Sequence, residues 1–64
     1  MTNTQFKQYL KDKLDALAGL EIKERPANYA DQKELLQSGL NIMTYGTGPA
    51  RRRFRRDYER RMGL

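Results

Sequence analysis

The chain has 64 residues, with 13 Lys and Arg against 8 Asp and Glu, a formal net charge of +5, and no His, Cys or Trp. A chain this short is one domain at most, and its core alone supplies only ~3–5 kcal/mol of stability. The missing His and Cys exclude Ser–His and Cys–His nucleophiles, zinc sites of the usual kind and a disulfide scaffold.

The first segment predicts a helix from about Thr4 to Ala18. Thr2 and Gln5 have capping-box spacing, with Thr4 as a competing cap. Phe6, Tyr9, Leu10, Leu14 and Leu17 recur at helical intervals and form one apolar stripe, which reads as core. Gly-Leu pairs stand at 19–20, 39–40 and 63–64. The first two read as helix stops, in which Gly turns left-handed and the next apolar residue folds back. The third stands at the last two positions, where we give such a stop little weight.

Residues 20–27 form a connector. Leu20 and Ile22 alternate with charges, so a short extended piece fits, and Pro26 holds Arg25 out of the helical region. With no Val and two Ile, the chain has little material for a sheet. A second helix is expected from Asn28, as cap, to about Ser38. At roughly ten residues it is too short to stand alone, so it packs antiparallel on the first.

Residues 41–48 carry Ile42, Met43 and Tyr45, two Gly and no charge. They read as an apolar loop. It either folds back to complete the core or docks on another protein, since exposed apolar patches mark contacts. Gly46 and Gly48 then form a hinge. The stretch lacks the Gly-Lys-Ser/Thr ending of a phosphate loop.

A third helix is expected from Pro49 to about Met62, with Pro in the first turn. Ala50, Phe54, Tyr58 and Met62 share one face. Arg52, Arg53, Arg56 and Arg60 cover the opposite side, and Arg51, Arg55 and Arg61 flank the stripe. Four-residue spacing pairs Asp57 with Arg53 and Arg61, and Glu59 with Arg55.

The charge is unevenly placed. Residues 1–48 are balanced: Lys7, Lys11, Lys13, Lys23, Arg25 and Lys33 stand against Asp12, Asp15, Glu21, Glu24, Asp31 and Glu34. Residues 49–64 carry the whole excess, and there the base is always Arg. Arg is a planar fork that grips phosphate or carboxylate through two hydrogen bonds, whereas Lys is a hydrated point charge. A row of Arg neutralises nucleic-acid phosphates and releases counterions. No zinc-finger spacing, helix-turn-helix or RRM signature is present, so binding is expected to be to backbone rather than to bases. An acidic protein partner is the alternative. A solvated face serving solubility is the bland reading, and the thin stripe without Trp or Leu disfavours a membrane.

The carboxylates Asp12 and Asp15, or Asp57 and Glu59, are ordinary helix-surface pairs, so no metal site is expected. Ser38 is the only Ser and has no base beside it. We therefore expect a protein that is not an enzyme and uses no cofactor or small-molecule substrate. The polar N-terminus shows no signal peptide, and no apolar run is long enough to span a bilayer. A cytoplasmic protein, or part of a particle assembled in the cytoplasm, is expected.

In its size and in Arg51-Arg52-Arg53 the chain is loosely similar to short bacteriophage head and neck proteins with an Arg-rich C-terminus. That resemblance implies a viral assembly component. The expectation is an all-α chain, with a neutral helical hairpin over 1–48 and a Gly-hinged basic helix over 49–64. It acts as a structural or accessory subunit whose Arg51, Arg52, Arg53, Arg55, Arg56, Arg60 and Arg61 contact DNA or RNA backbone. Ile42, Met43, Tyr45, Phe54, Tyr58 and Met62 are the candidates for contact with neighbouring subunits. The alternative is an adaptor or inhibitor that docks the Arg helix on an acidic protein.

Overall fold

A computed structural model describes residues 1–64 and contains three α-helices: α1 (Asn3–Ala18), α2 (Tyr29–Tyr45) and α3 (Gly48–Met62). The capping chemistry at Thr2 sets the start of α1. Thr2 Oγ1 accepts from the Gln5 N–H at 3.1 Å, and Gln5 Oε1 accepts from the Thr2 N–H at 2.8 Å, closing a full capping box. Phe6 and Leu10 of the apolar stripe are fully buried, with Tyr9, Leu14 and Leu17 half-buried around them.

The connector is tighter than an extended piece. Ile22–Glu24 forms a 3₁₀ turn, and Arg25 is extended ahead of Pro26 as its position requires. The Arg25 guanidinium lies 4.5 Å from the centre of the Tyr29 ring, so a cation–π contact ties the connector to the start of α2. Asn28 occupies the N-cap position. Its side-chain oxygen accepts from Gln32 Nε2 at 2.8 Å rather than from a backbone N–H.

The second helix corrects the expected stop at Ser38 and the expected apolar loop over 41–48. It runs seven residues beyond Ser38, through Gly39 and Leu40 to Tyr45. Met43 joins Phe6, Leu10, Leu36 and Tyr58 in the buried core, and Ile42 is half-buried on the same helix. Gly39 is a buried helix-interior residue whose missing side chain makes room for the Phe54 ring. The Gly19 pair ends α1 without a left-handed residue, at φ −83°. Only Gly63, the pair given little weight above, is left-handed, at φ 72°; there the Leu64 N–H reaches back to the Glu59 carbonyl at 2.9 Å.

The link between α2 and α3 is two residues, Gly46 and Thr47. The Gly46 N–H donates to the Ile42 carbonyl at 2.8 Å, and a β-carbon there would stand 2.5 Å from that same oxygen. Thr47 Oγ1 then accepts from the Ala50 N–H and caps α3, with Pro49 in the first turn. The chain therefore turns sharply, and α3 returns along the hairpin instead of projecting from it. Four aromatic rings close the contact between α1 and α3. Tyr58 meets Phe6 edge-on at 5.6 Å and Tyr9 at 6.0 Å, and Phe54 lies 6.2 Å from Phe6. Offset and edge-on aromatic pairs are each worth ~0.5–1.5 kcal/mol beyond their burial, a substantial addition to a five-residue core.

Candidate functional site on the arginine helix

Packing α3 through Phe54 and Tyr58 sorts its arginines by direction. Arg51 and Arg55 flank that stripe and are half-buried; Arg52, Arg53, Arg56, Arg60 and Arg61 are exposed. The two inward residues have assigned work in the fold. Arg55 Nε donates to Glu59 Oε1 at 2.7 Å, its Nη1 donates to Asn3 Oδ1 at 2.8 Å, and its Nη2 donates to the Met1 carbonyl. Its guanidinium also lies 5.5 Å from the Phe6 ring centre. One side chain thereby ties the middle of α3 to the start of α1. Arg51 Nη2 reaches the Thr44 carbonyl at 3.4 Å, in the last turn of α2, where helix carbonyls lack intrahelical donors. Its Nε is buried without an acceptor.

The five outward arginines form no ion pair within 4.0 Å and no side-chain hydrogen bond. The expected pairing of Asp57 with Arg53 and Arg61 is absent; the Glu59 pairing with Arg55 is present. Arg52, Arg53, Arg56 and Arg60 present forks of donors on the side of the helix away from Phe54 and Tyr58, free to take an external anion, while Arg61 lies beside the apolar stripe. Pro49, Arg52, Arg53 and Arg56 line a cleft of about 440 Å³ on this side. Arg60 and Arg61 sit in the last turn, where cations also favour the helix dipole.

The six apolar candidates for partner contact divide too. Met43 and Tyr58 are core residues, and Phe54 is half-buried against Gly39. These three are corrected from partner contacts to packing residues: in α2 and α3 their spacing turns them inward. Tyr45 and Met62 are exposed, at 83% and 45%, and Ile42 is half-buried. Sequence reasoning missed a second feature. A groove of about 590 Å³ opens among Leu17, Leu20, Leu35, Tyr9, Tyr58 and Met62. Leu20 and Leu35 were legible only as apolar residues of the connector and of the second helix, since the gap between helices depends on how they pack.

Tyr58 has the one clearly displaced ionisation in the molecule. Burial pushes its phenol well above the ordinary range, and its hydrogen bond to the Tyr9 hydroxyl at 3.4 Å, with the charge of that neighbour, pushes the same way. The two hydroxyls meet within the aromatic cluster of Phe6, Tyr9, Phe54 and Tyr58. No group of three or more His, Cys, Asp or Glu is placed to hold a metal, and no helix is long and apolar enough to cross a membrane. The chain matches no protein-family model, no curated protein and no solved structure.

Proposed function

We propose that this protein is a small, non-catalytic accessory subunit of a larger assembly, such as a viral particle or a ribonucleoprotein, whose α3 lies against nucleic-acid backbone. One observation carries the reading. The arginines of α3 that face the body are consumed by the fold, while the five that face outward have no acidic partner. A face kept only for solubility gains from interspersed acids, and here Asp57 leaves the nearby arginines unneutralised. The chemistry is phosphate contact with counterion release.

The assembly half of the reading is supported by the apolar groove that Met62 borders and by the exposed Tyr45 and Ile22 side chains. A five-residue core gains stability when a neighbour covers such surface. A protein partner for the arginine face is the second reading, because the same forks bind carboxylates.

The experiment is a titration of full-length protein with labelled single- and double-stranded DNA and RNA at two salt concentrations. Its comparator carries Arg52→Gln, Arg53→Gln, Arg56→Gln and Arg60→Gln together. Binding that falls steeply with salt and is lost in the comparator is expected. Equal binding by both proteins moves the contact off the arginine face, and no binding by either removes the nucleic-acid reading and leaves the protein partner.

A further inference from the structure

We propose that Arg52, Arg53 and Arg56 form a discrete seat for one phosphate group, so that the basic face has an anchor rather than a uniform field. The inference rests on the reading of α3 as a backbone-contacting helix and says where on it the contact is centred.

Three observations place the seat. First, the three arginines and Pro49 are the whole lining of one cleft. Arg52 and Arg56 stand one turn apart on the same ridge, and Arg53 stands on the next, so the three side chains border one shallow cleft. Second, none of the three has a carboxylate within 4.0 Å or any side-chain acceptor. Their mutual repulsion is therefore relieved only from outside. Third, the Arg52 side chain folds back over the first turn of α3. Its Nη1 lies 3.5 Å from where a β-carbon on Gly48 would stand. The guanidinium thus sits beside the positive end of the helix, and the two fields add.

Arg60 and Arg61 also lack ion pairs but differ in place. They lie in the last turn, at the negative end of the helix dipole, and neither lines this cleft. Arg61 borders the apolar groove instead. The cleft is shallow and open to solvent, so a phosphate on a flexible strand can reach it. The ligand chemistry is a phosphate group, and a nucleic-acid strand or a free phosphate ion can supply it.

The test compares two charge-matched variants of the full chain, R52Q/R56Q and R60Q/R61Q, against labelled oligothymidylate between about 50 and 200 mM salt. A parallel titration with inorganic phosphate follows the Arg side-chain N–H signals by NMR. Loss of two seated contacts is expected to weaken R52Q/R56Q about tenfold and to flatten its log–log salt slope by about 1.4, while R60Q/R61Q, which loses only outlying contacts, is weakened and flattened by clearly less. Inorganic phosphate is expected to shift Arg52, Arg53 and Arg56 together, with saturation. Equal losses in the two variants, with phosphate shifts spread over all outward arginines, overturn the seat and leave backbone contact standing. Saturable phosphate shifts at the three residues without oligonucleotide binding keep the seat, assign it to a free phosphate and overturn the nucleic-acid reading.

Discussion

The edge of the Phe54 ring occupies the place of a side chain on Gly39. A β-carbon built at Gly39 would lie 2.3 Å from Phe54 Cζ, inside any permitted contact. This one fit holds α3 against α2 at the level of the core. It also explains why a glycine stands in a helix interior, where it costs ~1 kcal/mol relative to alanine.

The relationship predicts a sign reversal. Gly39→Ala gains helix propensity but must displace the ring, and overpacking costs ~1–3 kcal/mol. We expect a net loss of about 1 kcal/mol in urea unfolding. In a Phe54→Ala background the obstacle is gone, and the same substitution is expected to stabilise by up to ~1 kcal/mol. A double-mutant cycle reads the coupling directly. Stabilisation by Gly39→Ala in the unaltered protein would show that the ring yields without cost.

The same contact marks the limit of what the sequence showed. The stripe of α1, its capping box, Pro49 in the first turn of α3 and the outward placing of Arg52, Arg53, Arg56 and Arg60 were all legible, because each depends on neighbours within a turn or so. The extent of α2 was not read correctly. Gly39-Leu40 imitates a helix stop, and only a residue fifteen positions away shows that the gap is for a ring. A usable signal did exist: Leu36, Leu40 and Met43 continue helical spacing across the glycine. The ties of Arg51 to Thr44 and of Arg55 to Asn3 were beyond local pattern, since those acceptors are on α2 and at the start of α1.

Gly46 is required for a different reason, and its test separates the two glycines. Here the obstacle is backbone: a β-carbon meets the Ile42 carbonyl oxygen at 2.5 Å. No side-chain truncation relieves it. Gly46→Ala is expected to cost about 1–3 kcal/mol and to loosen α3 from α2. Hydrogen exchange at the Ala50 and Arg51 amides, which donate to Thr47, reports that loosening. Unchanged stability and protection would mean that the turn shifts freely.

The tyrosine pair predicts an alkaline limit. In the fold the Tyr58 phenol titrates above its ordinary value of about 10, because burial and the Tyr9 hydroxyl favour the neutral form. The unfolded chain then releases this proton first as pH rises. The contribution to stability is complete below about pH 10 and is lost as pH climbs above it toward the folded value. Unfolding midpoints measured from pH 8 to 11 should fall more steeply in the unaltered protein than in Tyr58→Phe, which removes the group. Parallel curves would remove Tyr58 from the alkaline transition.

The division of the arginines makes the last prediction, and it sets stability against binding. Arg55 donates to Asn3, Met1 and Glu59, so Arg55→Ala breaks the tie between α3 and the start of α1. Charge-assisted bonds at half-exposed sites support an expected loss of about 1–2 kcal/mol. Arg55→Lys is not expected to restore it, because an ammonium cannot span acceptors on two helices as a planar fork does. Arg53→Gln, on an exposed side chain without partners, is expected to change stability by less than about 0.5 kcal/mol. Nucleic-acid affinity should follow the opposite order once measured well below each variant's melting temperature: weakened by Arg53→Gln and nearly retained by Arg55→Lys. Chemical denaturation and oligonucleotide titration of the same three variants decide the matter. If Arg55→Lys weakens binding as much as Arg53→Gln while remaining folded, the inward arginine belongs to the binding face and the division drawn from the fold fails.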